Sequence, residues 1–142
     1  MDFSLYSCYM DTYNRHYDIN FEEDVKRGMV GENAHHAFLS GTHEVKTDYQ
    51  TVNTGNFYIE TMQYNLNGEW LSGINVTTAT HWVFASPTGQ GVISVPTELI
   101  RTIIAQESLR ETRQPIYNEN TNASTGLLLP LSTLLRYMGL SK

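Results

Sequence analysis

The sequence predicts an α+β domain in which helices flank one central mixed β-sheet. Residues 43–64 are rich in β-branched and aromatic side chains, as two strands joined by a tight turn are. Asn67-Gly68 is a strong signal for a second turn, which extends these strands into a meander. Apolar stripes at helical spacing follow Asn20 and Pro96, and these stripes indicate the flanking helices.

Length and composition predict one globular domain over residues 1–142. Hydrophobic residues make up 40% of the chain and charged residues 17%, which is enough apolar surface for one core. We expect that core to span about residues 20–105, with a C-terminal loop and helix over residues 106–142. No apolar run approaches the length that crosses a bilayer, no signal peptide is recognisable, and Cys8 is a lone cysteine. Together these features predict a cytoplasmic protein without a membrane partner.

The net charge of −6 argues against a protein that grips nucleic acid by bulk electrostatics. It is compatible with an enzyme whose acidic site is neutralised by a metal ion. Charge alone therefore leaves both kinds of protein open.

The predicted hairpin turns at Asn53-Thr54-Gly55, where a glycine can adopt the positive φ that a three-residue loop requires. Pairing about Thr54 sets Asp48 opposite Glu60 and Lys46 opposite Met62. Opposed residues of a strand pair share one face of the sheet, so the two carboxylates are expected to face each other.

Side chains alternate along a strand, so Glu44, Lys46 and Asp48 are expected on the same face as Glu60. Carboxylates that face each other repel unless a cation lies between them. A divalent metal ion is the natural candidate for that cation.

Asn20 is predicted to begin a helix, because it opens a capping-box pattern followed by an acidic first turn. Its apolar stripe is formed by Phe21, Val25 and Met29, and Glu32 continues this stripe toward the core. We expect Glu32 to be buried beside the two acids. The alternative is that the helix ends early at its glycines, which would leave Glu32 in solvent.

This arrangement resembles the PD-(D/E)XK nuclease superfamily, which has the restriction-endonuclease-like fold. The segments VKTD, TGNFYIE and SGI are similar to those of small phage and bacterial members, over roughly residues 20–105. By this resemblance Asp48 is the aspartate of the motif and Glu60 its second acid. Glu32 matches the glutamate that many members carry on the first helix.

Two positions depart from the family pattern. The motif's lysine should follow Glu60 by two residues, where this chain has Met62, and Thr47 stands where the motif has proline. Lys46 is opposite Met62 in the predicted register, so its ammonium could occupy the same space.

A second assignment takes Glu44-Val45-Lys46 as the E-x-K element. It requires an aspartate on the preceding strand, and the chain has none between Asp24 and Asp48. The first assignment is therefore preferred.

The resemblance implies a metal-dependent nuclease that hydrolyses phosphodiester bonds of DNA. Asp48 and Glu60 would hold Mg²⁺ or Mn²⁺, and Glu32 would bind the ion directly or through water. Lys46 would orient the attacking water or stabilise the developing anion, with Glu44 holding it in place.

Two alternatives remain beside the nuclease. One is a nuclease-like fold that has lost catalysis and serves in binding. The other is an α+β interaction module, in which the charged strand is an ordinary solvated face. The sequence leaves open the type of nucleic acid and the oligomeric state, a homodimer included.

Overall fold

The computed structural model describes the backbone of residues 3–142 and the side chains of residues 21–142. The chain divides into two compact units, residues 1–40 and residues 41–142, where the sequence predicts one domain. Both helices and β-sheets are present, so the predicted α+β class is confirmed. Among the described residues, no helix combines the length and the hydropathy that crossing a bilayer requires.

The first unit is a single long helix, α1 (Phe3–Ser40). The sequence predicts a helix that begins at Asn20, but the observed helix already contains Asn20 in its interior. It also continues through Gly28 and Gly31 without a break. The weak helix propensity of two glycines is thus insufficient to end it.

The predicted burial of Glu32 is wrong, because its side chain is exposed. Its neighbours on the apolar stripe explain why, since Val25 is 45% exposed and Met29 is 52% exposed. The stripe is therefore exposed along this part of α1, and a carboxylate within it keeps its contact with water.

The second unit contains strands connected by short helices and turns. Its elements are β1 (His43–Thr47), α2 (Thr51–Thr54), β2 (Asn56–Asn65), β3 (Gly68–Leu71), a 3₁₀ helix (Gly73–Asn75), β4 (His81–Ala85), β5 (Val92–Pro96), α3 (Thr97–Gln106), β6 (Arg110–Arg113), β7 (Ala123–Pro130) and α4 (Leu131–Tyr137).

These strands form two sheets, whereas the sequence predicts one central mixed sheet. The first has the order β1-β4-β5, with β1 parallel to β4 and β5 antiparallel to it. The second has the order β3-β2-β7-β6 and is antiparallel throughout. We call them the mixed sheet and the antiparallel sheet.

The predicted pairing of Asp48 with Glu60 is wrong, because β1 belongs to the mixed sheet and β2 to the antiparallel sheet. Lys46 likewise pairs with Phe84 of β4 and does not face Met62. The connection between β1 and β2 is the helical turn α2 and not a hairpin loop.

The local cause is the carboxylate of Asp48, whose Oδ1 accepts a hydrogen bond from the Gln50 amide at 2.8 Å. This side-chain bond favours a turn directly after β1, and α2 follows it. Gly55 then ends α2 in the left-handed conformation at φ 70°, the role that the sequence had given it in a different turn.

Residues 106–142 contribute more than the predicted loop and helix. β7 lies in the interior of the antiparallel sheet between β2 and β6. The predicted core of residues 20–105 therefore ends too early. Polar, asparagine-rich sequence precedes β7, and the pairing that makes it a strand comes from β2, far away in sequence.

Two local predictions are confirmed, and a third is displaced by one residue. The turn that joins β2 to β3 is at Leu66-Asn67, because Gly68 pairs with Asn65, whereas the sequence predicts it at Asn67-Gly68. Pro96 precedes α3, and the C-terminal amphipathic helix is α4.

The two sheets share one hydrophobic core with α3 and α4. Its centre is the stack of Phe57 from β2 on Phe84 from β4, with ring centroids 4.2 Å apart. Around this stack lie the buried side chains of Ile59, Ile74, Trp82, Val95, Ile100, Ile103, Leu129 and Leu134. Because Phe57 and Ile59 face this core, the alternate residues Tyr58 and Glu60 point to the opposite face of the antiparallel sheet.

The 3₁₀ helix crosses β2 at very short range. Gly73 has φ +53°, and a Cβ at this position would lie 2.1 Å from the backbone oxygen of Glu60. A β-bulge in β2 follows Glu60 at this crossing. Only glycine fits here, both for its conformation and for its lack of a side chain.

We predict that Gly73→Ala lowers the free energy of unfolding by about 2–5 kcal/mol, the sum of left-handed strain and overpacking. Gly89→Ala is the matched control, since Gly89 has φ +73° but nothing within 4 Å of its Cβ position. It should lose only about 1–2 kcal/mol in urea denaturation. Equal losses in the two variants would contradict the close crossing.

Candidate functional site

Glu44 and Lys46 form the charged pair of β1. Both side chains lie on the same face of the strand, and Glu44 Oε1 lies 2.6 Å from Lys46 Nζ. The two side chains are 28% and 36% exposed, so the pair is partly shielded and still open to solvent.

Two further residues fix this pair in place. The Thr77 hydroxyl donates a hydrogen bond to Glu44 Oε2 and accepts one from the Ala79 amide. The ammonium of Lys46 lies 5.4 Å from the ring centroid of the fully buried Trp82. The pair therefore rests on the core on one side and is held by a loop on the other.

The environment of Glu44 keeps its carboxyl group ionised. Burial alone would raise the pKa of Glu44, but hydrogen bonds from Lys46 and Thr77, together with the charge of Lys46, outweigh burial and lower that pKa. At neutral pH the site thus presents a carboxylate beside an ammonium.

Asp48 is used differently. Its Oδ1 accepts from the Gln50 amide, and its Oδ2 accepts from the Tyr58 amide at 3.2 Å. β3 covers the edge of β2 only from Met62 to Asn65. The amide of Tyr58 lies outside this range and bonds to Asp48 instead. Asp48 is a structural acceptor that ties the end of β1 to β2.

Glu60 is also occupied by protein donors. Its Oε1 accepts hydrogen bonds from the Ser72 hydroxyl and from Gln63 Nε2 at 3.1 Å. Among the residues whose side chains are described, no three His, Cys, Asp or Glu side chains come together as a metal site would need. The Asp48 and Glu60 carboxylates are thus held by separate donors and do not face each other as predicted, and Glu32 belongs to the first unit.

Lys46 also borders a cleft of about 570 Å³ on the outer face of the antiparallel sheet, a size typical of small-molecule sites. Most of its lining residues have polar side chains, but the surface that they present to the cleft is mainly carbon. The cleft is lined by Lys46, Thr47, Asp48, Tyr49, Gln50, Thr54, Asn56, Tyr58, Thr112, Gln114 and Leu128.

Tyr58 packs directly on the backbone of β7, because Gly126 has no side chain. A Cβ at Gly126 would lie 2.5 Å from Tyr58 Cζ. The Tyr58 hydroxyl lies 2.7 Å from Ser124 Oγ, and Ser124 in turn donates to Gln114 Oε1 at 3.1 Å.

Sequence analysis did not find Tyr58 or Thr77. The alternation in TGNFYIE could have placed Tyr58 on the face of Glu60, since residues two apart share a face. No local signal relates Gly126 to Tyr58 or Thr77 to Glu44, because these contacts depend on how distant segments pair.

Comparison with known proteins identifies no relative. No family model, no curated protein and no solved structure matches this chain.

We predict that Lys46→Met raises the pKa of the Glu44 carboxyl, measured by an NMR titration. Because the folded pKa is lowered, ionised Glu44 stabilises the fold above its ordinary pKa. That contribution is lost as the pH falls through the folded pKa, and Lys46→Met should remove much of it. Arg113→Met is the control, since Arg113 pairs with Glu69 and should leave Glu44 unaffected. An unchanged Glu44 pKa in Lys46→Met would contradict the ion pair.

We also predict that Asp48→Ala lowers the free energy of unfolding by about 1–2 kcal/mol, because two backbone amides lose their acceptor. Urea denaturation measures the change, with the exposed Glu119→Ala as the control. A loss no larger than that of the control would show that Asp48 does not tie β1 to β2.

Proposed function

We propose that this chain is a metal-dependent nuclease-like protein whose acid and lysine are Glu44 and Lys46. The observation that carries the proposal is the contact between the ionised Glu44 carboxylate and the Lys46 ammonium, which borders the cleft. Glu44-Val45-Lys46 is then the E-x-K element of the PD-(D/E)XK resemblance, without the aspartate that the motif has on its preceding strand. The proposed substrate is nucleic acid, with DNA first, and the proposed setting is the cytoplasm of a bacterial or phage-infected cell.

The partners of each carboxylate support Glu44 over Asp48. Asp48 is bonded to two backbone amides, which cannot leave without disturbing the fold. Glu44 is bonded to side chains, and the Lys46 ammonium sits on a flexible stem that can move when another cation or a phosphate arrives. Glu44 can therefore exchange partners at little cost to the structure.

A magnesium ion at this site would have one protein carboxylate as its ligand. Mg²⁺ prefers oxygen ligands and is often held by one or two carboxylates, with substrate phosphates and water completing its shell. Glu44 would supply the protein oxygen, and Thr77 would fix the direction of its carboxylate. When bound, the ion supplies a water of lowered pKa and neutralises phosphate charge.

Lys46 has the role of binding phosphate. Its ammonium would lie beside a phosphate oxygen and stabilise the negative charge that develops there. Trp82 beneath the ammonium and Glu44 beside it limit the positions that Lys46 can take.

One observation favours a second function, which is a nuclease-like or α+β module that binds without cleaving. In the part of the chain with described side chains, Glu44 belongs to no group of three potential metal-ligating side chains. Such a module would use the same cleft, and the experiment below separates the two functions.

We predict that the purified chain cleaves DNA in Mg²⁺ or Mn²⁺ and not in EDTA. Glu44→Gln should abolish cleavage because it removes the carboxylate that would hold the ion. Lys46→Met should slow turnover by about 10²–10³-fold, which is typical for the loss of one transition-state donor. The assay is conversion of supercoiled plasmid and of labelled single strands.

Glu60→Gln is the matched control, because Glu60 is bonded to Ser72 and Gln63 and lies outside the proposed site. It should cleave as the parent does. Loss of activity in Glu60→Gln, with full activity in Glu44→Gln, would contradict the assignment. Binding of oligonucleotide without cleavage by the parent in either metal would support the second function.

A further inference from the structure

We propose that the Tyr58 cleft binds an unpaired nucleobase of a single-stranded nucleic acid, stacked on the Tyr58 ring, with the adjoining phosphate toward Lys46. The identity of the ligand as nucleic acid rests on the proposed function. The binding surface rests on the cleft alone.

The first support is the position of the Tyr58 ring. Gly126 lets this ring approach the strand so closely that any Cβ would meet Cζ at 2.5 Å and Cε2 at 2.7 Å. The ring is thus fixed against the sheet while it still lines the cleft. A preorganised ring loses little freedom when a planar ligand stacks on it.

The second support is the direction of the hydrogen bonds around that ring. Ser124 uses its proton on Gln114 Oε1, so Tyr58 donates its own proton to Ser124 Oγ. Burial raises the pKa of Tyr58, as does the charge of Glu60, and the hydroxyl remains a donor. Gln114 has its carbonyl engaged and its amide group available as a donor to the edge of a base.

The third support is the balance of charge. Lys46 and Asp48 both line the cleft, so its walls carry one charge of each sign. Arg110 is in register with Leu128 and Tyr58 across the sheet and therefore shares their face. A neutral heterocycle suits the floor, and a phosphate suits the border near Lys46.

Stacking also reconciles nucleic-acid binding with the net charge of −6. Bulk attraction is absent, so affinity must come from contacts with bases. Bases of a duplex are already stacked on each other, whereas those of a single strand can stack on an aromatic side chain. The cleft therefore favours single strands over duplexes.

The test measures binding of the full-length protein to fluorescent oligothymidylate in EDTA, where cleavage cannot occur. An abasic strand of equal length and phosphate number is the matched ligand. We expect the abasic strand to bind about 10- to 100-fold more weakly, because it lacks the stacking group. Equal binding of the two strands, absent binding of both, or stronger binding of a neutral glycan would overturn the proposal.

Variants assign the stacking to Tyr58. Tyr58→Leu should weaken oligothymidylate binding about 10- to 100-fold and leave abasic-strand binding unchanged. Tyr58→Phe keeps the ring and should bind within a few-fold of the parent. Tyr117→Leu is the control, because Tyr117 is 83% exposed and lies outside the cleft.

Gln114→Glu gives a second variant at an exposed position, in case Tyr58→Leu fails to fold. It replaces the amide donor with a negative charge and should weaken binding of both strands. Unchanged binding in Gln114→Glu and Tyr58→Leu would overturn the proposed site. If the parent discriminates against abasic strands in EDTA but never cleaves in Mg²⁺, the nuclease proposal fails and the stacking site stands. If it cleaves but does not discriminate, the reverse holds.

Discussion

The stack of Phe57 on Phe84 is the contact on which the second unit depends. It joins the two sheets, which have no strand in common. Because β4 is paired with β1 and β2 with β7, this contact and the hydrogen bond from the Tyr58 amide to Asp48 hold the charged strand relative to the antiparallel sheet. The Glu44–Lys46 pair and the Tyr58 cleft are both positioned by a core that neither of them belongs to.

Local signals in the sequence predicted the turn between β2 and β3 to within one residue and the helix after Pro96, since neighbouring residues determine both. They were insufficient for strand pairing. The segment at Asn53-Thr54-Gly55 contains the glycine of a turn, and a hairpin and a helical turn both require one there. Asp48 favours the helical turn, because its carboxylate accepts hydrogen bonds from the amides of Gln50 and Tyr58. The periodicity of the sequence gives no sign of these bonds.

In the candidate site, too, local relations between residues were predicted correctly and long-range pairings were not. That Glu44 and Lys46 share a face follows from the two-residue period of a strand, and they are in contact. That Glu60 joins them followed from a register which does not exist, and its carboxylate is instead held by Ser72 and Gln63. The exposure of Glu32 could not be read from its stripe, because periodicity identifies an apolar face without saying whether anything covers it.

The order of pairing along the chain has a consequence for how the second unit folds. Thr42 and Thr80, which directly precede β1 and β4, are hydrogen-bonded across 38 residues, and Tyr58 contacts Ser124, 66 residues further on. Contacts between such distant residues require costly loop closure and make folding slow. During synthesis on the ribosome, β1 and half of the antiparallel sheet emerge well before their partners. The charged side chains of β1 then oppose aggregation through its unpaired edge. This role in folding is separate from any role in binding or catalysis.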